Sequence, residues 1–104
     1  MAGKSVDFVV VLEDGVRKRH RHLTQKSRVT YFAVQLEVLF MNEWKVAVRY
    51  DCSHGVSHMH KYDIMGQGIR RVLKLGFESA LTFSDWDINE NWQRYRDDFL
   101  KGAV

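Results

Sequence analysis

From Arg28 to Asp51 apolar and polar side chains alternate with a period of two on either side of a short turn, and from Phe77 onward they recur at spacings of three and four. The first pattern predicts strands and the second an amphipathic helix. Val6 to Glu13 is dense in β-branched and aromatic residues, and Asp14-Gly15 follows at once, which predicts a type I′ hairpin turn. The returning arm, Val16 to Leu23, places Arg17, Arg19 and Arg21 on one face and Lys18, His20 and His22 on the other. With no apolar face, it is expected at a sheet edge or as a projecting ribbon.

Arg28 to Met41 is the longest strand candidate, with Phe32, Val34, Leu36, Val38 and Phe40 on its core side. Asn42-Glu43 turns it into a strand from Trp44 to Asp51. Strict alternation there puts Trp44, Val46, Val48 and Tyr50 on one face and Lys45, Ala47, Arg49 and Asp51 on the other. His54-Gly55 reads as the next turn. Residues 58–64 and 69–75, joined by Met65-Gly-Gln-Gly68, read as a further hairpin whose second arm fits the start of a helix equally well.

Phe77, Leu81, Ser84, Ile88, Trp92, Tyr95 and Phe99 form one helical stripe, and Gly102 fits its stop. Ser84 and Asp87 also fit a capping arrangement that would bend or restart the helix near Asp85. Asp85, Asp87, Glu90, Asp97 and Asp98 are expected to face water. The expected fold is α+β: an antiparallel sheet of four to five strands over 6–75, with one long C-terminal amphipathic helix over 77–101 packed on one face.

The 104 residues suit a single domain over 1–104, and thirteen aromatic residues argue against disorder. The longest apolar run, Phe8 to Leu12, is far short of a membrane span, and the single cysteine cannot form an internal disulfide. A cytoplasmic protein without membrane attachment is the expectation. Charge changes the picture more than composition does. Residues 1–50 carry nine Lys/Arg against five Asp/Glu, residues 51–76 four against two, and residues 77–104 three against six. A basic sheet portion of this kind attracts polyanions, so nucleic acid is the leading partner, RNA before DNA. Arg17, Lys18, Arg19, His20, Arg21, His22 and Tyr62 are the candidate nucleic-acid-binding residues.

Candidate chemistry concentrates between Arg49 and Asp63, which holds three of the five histidines, the only cysteine and two Tyr-Asp pairs. His58 and His60 share one face of a strand, with rings about 6.5 to 7 Å apart. A second His-x-His pair, His20 and His22, would complete a four-histidine metal site if the pairs met, but Arg19 and Arg21 flank it with repelling charge. The preferred reading is metal-free and needs no cofactor. His58 and His60 would supply the acid and base of ribonuclease-like catalysis, Arg49 the phosphate clamp, and Asp51 or Asp63 the carboxylate that fixes a tautomer. Register decides this, because a one-residue slip would send the histidines to the opposite face. Cys52 beside His54 is a poor nucleophile candidate. The alternative is a non-catalytic basic protein that binds or inhibits RNA, DNA or an acidic protein.

Through Arg49-Tyr-Asp-x-x-His-Gly55 and His58-x-His60 the chain resembles a group of small uncharacterised prokaryotic proteins and, more distantly, the TumE-like toxins of toxin–antitoxin pairs. For the first group the likeness extends to the N-terminal Asp-Gly hairpin, Ala80-Leu-Thr82 and Asp87-Ile-x-x-Asn-Trp92. The resemblance implies a stand-alone domain, a toxin acting on RNA, with Tyr50, Asp51, Gly55, His58 and His60 at matching positions. An antitoxin or other protein partner and a homodimer both stay open. The basic arm and the acidic helix depart from the toxin pattern.

Overall fold

The computed structural model describes residues 3–102. Six strands precede one helix: β1 (Lys4–Glu13), β2 (Val16–Gln25), β3 (Arg28–Phe40), β4 (Glu43–Ser53), β5 (Val56–Tyr62), β6 (Gly68–Leu73) and α1 (Phe77–Lys101). Each strand pairs antiparallel with the next, so sheet order equals chain order. The fold is α+β, with one more strand than the upper expectation, because residues 68–73 pair with β5 instead of opening the helix.

Three of the hairpins turn at Lys26-Ser27, Met41-Asn42 and His54-Gly55, where both residues take positive φ. That geometry matches the twist of the flanking strands. The first hairpin differs from expectation: only Gly15 has positive φ, and a register shift between Val11 and Glu13 absorbs the extra residue. Gly68 lies opposite Tyr62, and a Cβ there would meet the Tyr62 ring at 2.8 Å, so glycine is what lets the ring lie across β6.

Helix α1 runs unbroken across one face of the sheet, so neither a bend nor a fresh start occurs at Asp85. Phe32, Val34, Leu36, Val48 and Tyr50 meet Ala80, Ile88, Tyr95 and Phe99 in the core, with Leu81 and Trp92 packed against it half-buried. Asp87, expected in water, is instead 6% exposed. Tyr50 and Tyr95 donate their hydroxyls to its Oδ2 at 2.5 and 2.6 Å, and Asn91 donates to Oδ1 at 2.8 Å. Burial and the Asp87 carboxylate together raise both tyrosine pKa values. Three other helix acids are paired as well, Asp85 with Lys18, Asp97 with Arg96 and Asp98 with Lys61.

Two expectations about faces are corrected. β2 is not an edge: it pairs with β1 and β3, and its Lys18, His20, His22 side lies on the helix side of the sheet. Buried Lys18 bonds Asp85 and Asn89, each at 3.0 Å, which compensates for the missing apolar face. In β4 a bulge occurs where Leu36 pairs with Val48 and Glu37 with Val46, leaving Ala47 over. Trp44 and Val46 therefore share the helix-free face with Arg49 and Asp51, while Val48 and Tyr50 turn to the core.

Candidate functional site

The face of the sheet away from α1 collects Arg17, Arg19 and Arg21 from β2, Tyr31, Gln35 and Glu37 from β3, Arg49 and Asp51 from β4, and His58, His60 and Tyr62 from β5. The decisive register is β4 against β5. Arg49 pairs with His60 and Asp51 with His58, so all four candidate catalytic residues stand on one face. No slip has occurred, because Tyr50 and Met59, paired between them, are committed to the apolar side.

Asp51 is the hub of the site. Arg49 Nε donates to its Oδ2 at 2.9 Å, and Arg49 Nη1 donates to Gln35 Oε1 at 2.6 Å. Gln35 in turn donates to Glu37, so the guanidinium is held from both sides in a fixed plane. Burial opposes the Arg49 charge, but the Asp51 carboxylate and the Tyr31 hydroxyl outweigh it and hold the pKa above its ordinary value. Asp51 Oδ1 lies 3.5 Å from His60 Nε2. It is the one buried side-chain polar atom without a hydrogen-bond partner among the described residues.

His58 Nδ1 sits 3.3 Å from Ser53 Oγ, and the His58 and His60 ring centroids are 6.0 Å apart. Their exposure differs: His58 is 7% exposed, whereas the His60 side chain retains 22%. Tyr62 continues the row, parallel to the His60 ring within 3° at a centroid distance of 6.1 Å. Asp63 takes no part, since its Oδ1 accepts from the backbone N–H groups of Met65 and Gln67 and closes the loop. Cys52 is buried against the backbone of Phe32, and burial raises its pKa.

The expected nucleic-acid-binding set is split by the sheet. Lys18, His20 and His22 are on the helix side, so they add nothing to a surface shared with Arg17, Arg19 and Arg21. The two His-x-His pairs consequently lie on opposite faces, and the four-histidine arrangement does not form. Of the three arginines, Arg17 is bound to Glu37 at 2.5 Å with its guanidinium 3.9 Å above the Trp44 ring, and Arg19 is 3.7 Å from the same carboxylate. Arg21 lies over Tyr31. A cleft of about 150 Å³ opens over the small side chain of Ala33, and three guanidinium groups, Arg19, Arg21 and Arg49, line it together with Tyr31, Gln35 and the Asp7 carboxylate.

Gln35, Tyr31, Glu37 and Ser53 are site residues that sequence reasoning passed over. Their alternation opposite the core side of β3 and β4 was the available signal, but it does not say which cation or imidazole each one faces. The family model described as "Domain of unknown function (DUF7718)" matches residues 1–103. No curated protein and no solved structure matches the chain.

Proposed function

We propose that this chain, which belongs to the DUF7718 family, acts on RNA through the open face of its sheet, with His60 as proton-transferring residue of a metal-independent phosphodiester-cleaving site. The observation that carries this reading is the orphaned Asp51 Oδ1. A buried carboxylate oxygen without a donor costs stability, and here it faces an imidazole nitrogen while Arg49 secures its twin. That is an arrangement for orienting a histidine beside a cation.

In the proposed reaction the His60 ring closes the 3.5 Å gap to Asp51 Oδ1 and donates to it from Nε2–H, which leaves Nδ1 to take the proton of a ribose 2′-hydroxyl. The 2′ oxygen bonds to phosphorus, the bond from phosphorus to the 5′ oxygen breaks, and that oxygen takes a proton from His58 at the floor of the site. The products are a 2′,3′-cyclic phosphate and a 5′-hydroxyl. Arg49, assisted by Arg19 and Arg21, offsets the charge that grows on the phosphoryl oxygens. In the cell the activity reads as that of a TumE-like toxin restrained by an antitoxin.

A second reading, a non-catalytic RNA-binding or inhibitory protein, is favoured by the burial of His58 and by the Glu37 carboxylate that engages Arg17 and Arg19. End-labelled single-stranded RNA separates the two. The cleavage reading expects cyclic-phosphate ends, a loss of about 100-fold or more in His60→Ala, no effect of chelator, and growth arrest on expression that His60→Ala relieves. Binding without cleavage, weakened by Arg21→Ala and by salt but not by His60→Ala, establishes the second reading. RNA that fails to bind at low salt sinks the cleavage reading and the RNA-binding form of the second.

A further inference from the structure

Beyond the pair Val48 and Lys61 the strands β4 and β5 part company, because the β4 bulge turns Val46 to the open face while β5 ends at Tyr62. The gap does not close over. Asp63 folds the following loop back on itself, and Ile64 N–H is tied to the Phe99 carbonyl at 3.0 Å, which anchors the loop to the end of α1. What remains is a cleft of about 490 Å³ with Phe99 among its walls, lined by Val46, Tyr62, Ile64 and Met65 and edged by Lys45 and Arg49.

We infer that this cleft is a nucleobase subsite, and that Arg49 joins it to the cleft over Ala33, where three arginines outnumber the one carboxylate of Asp7, so that one nucleotide spans both, base in the larger and phosphate in the smaller. The inference rests on the RNA reading above and gives it a substrate form. Three features point to a base. The volume lies in the range of small-ligand pockets. Val46, Ile64, Met65 and Phe99 give the cleft an apolar side opposite the polar Lys45 and Asp63, and Tyr62, whose ring is parallel to that of His60, is among its lining residues, so a planar heterocycle there would extend a row of rings that already exists. The cation at the junction, Arg49, is held by Asp51 and Gln35 and lines both clefts, so a phosphate beside it would sit one sugar away from a base in the larger cleft. A base can enter only when unpaired, so the substrate is single-stranded.

Amide chemical shifts of the full chain, titrated with inorganic phosphate, ribose 5-phosphate and the four ribonucleoside 5′-monophosphates, test this. Phosphate and ribose phosphate are expected to move Arg19, Arg21, Ala33 and Arg49 and to leave Val46, Tyr62, Ile64 and Met65 in place. Nucleotides are expected to move Val46, Tyr62, Ile64 and Met65 as well and to bind about tenfold more tightly than ribose phosphate. Val46→Trp, which fills the cleft, should abolish that gain and leave phosphate binding as it was. Nucleotides that bind no better than ribose phosphate, with the cleft amides unmoved, overturn the base subsite and leave the phosphate site standing. Binding of neither phosphate nor nucleotide overturns the RNA reading itself. The comparison among ligands needs only the unmodified chain, so a Val46→Trp variant that misfolds does not remove the test.

Discussion

Two aspartates show how far the fate of one side chain depends on its surroundings. Asp51 and Asp87 are both acids in amphipathic segments, and both end largely out of water. Asp51 keeps a cation on one oxygen and a free acceptor on the other, whereas Asp87 has no cation and is satisfied by Tyr50, Tyr95 and Asn91. We therefore expect Asp87→Ala to be the more damaging to stability. It strands two buried hydroxyl donors, at a cost on the order of 2 to 4 kcal/mol, read as a lower urea midpoint. Asp51→Asn should leave that midpoint nearly unchanged, and equal losses in the two variants would contradict the division between a structural and a functional carboxylate.

The element on which most depends is α1, because it alone covers the apolar face. Phe99 is 1% exposed and Trp92 only half-buried, so Phe99→Ala is expected to cost roughly 3 to 5 kcal/mol and Trp92→Ala distinctly less, seen as the larger fall in thermal midpoint for Phe99. The helix is also fixed to β2 through a polar chain. Asp85 meets Lys18 and His20 at 3.0 Å, and His20 Nε2 meets His22 Nδ1 at 2.6 Å beneath the stacked ring of Phe8. Burial first, and then the neighbouring His20, lower the His22 pKa, while Asp85 pulls the other way. The unfolded chain therefore takes up this proton more readily than the folded one. The contribution is complete above pH about 6.5 and declines as the pH falls below it. Urea midpoints of His22→Gln measured between pH about 7.5 and 5 should fall less than those of the unaltered chain; parallel profiles would remove His22 as the cause.

At the scale of the whole molecule, the sheet is a plate with one face covered and two unequal edges, and the overall extents are 45 × 26 × 21 Å. β6 is six residues long and carries Arg70 and Arg71, which discourages edge pairing. β1 is ten residues long and exposes Val6, Phe8 and Val10 on one side and Val9 and Val11 on the other. A second copy paired antiparallel about Phe8 sets Asp7 opposite Val9 and keeps Asp7 and Glu13 of the two copies apart. Pairing about Asp7 or Val10 would oppose like charges. Light scattering is expected to show a dimer at high concentration that Val9→Lys returns to monomer and Val72→Lys on β6 does not. No helix among the described residues is long and apolar enough to cross a membrane.

Periodicity determined the class of fold, the core side of β3 and the extent of α1, because a buried stripe must repeat at the period of the element that carries it, and the glycine of His54-Gly55 marked the turn. It also placed Arg49, Asp51, His58 and His60 in polar rows, but left open whether the two rows met, because only the pairing of β4 with β5 fixes the register. Tertiary structure decided what periodicity does not contain. A single extra residue at Ala47 moved Trp44 and Val46 to the open face, since a bulge reverses every alternation before it. Lys18 and His20 went under the helix because Asp85 and Asn89 arrive there from the far end of the chain to compensate their burial. Asp87 went into the core because two tyrosine hydroxyls from different elements converge on it, and Gln35 became part of the site because β3 happens to align it with Arg49. Each outcome is set by a partner distant in sequence, and only the packed chain brings such partners within hydrogen-bonding distance.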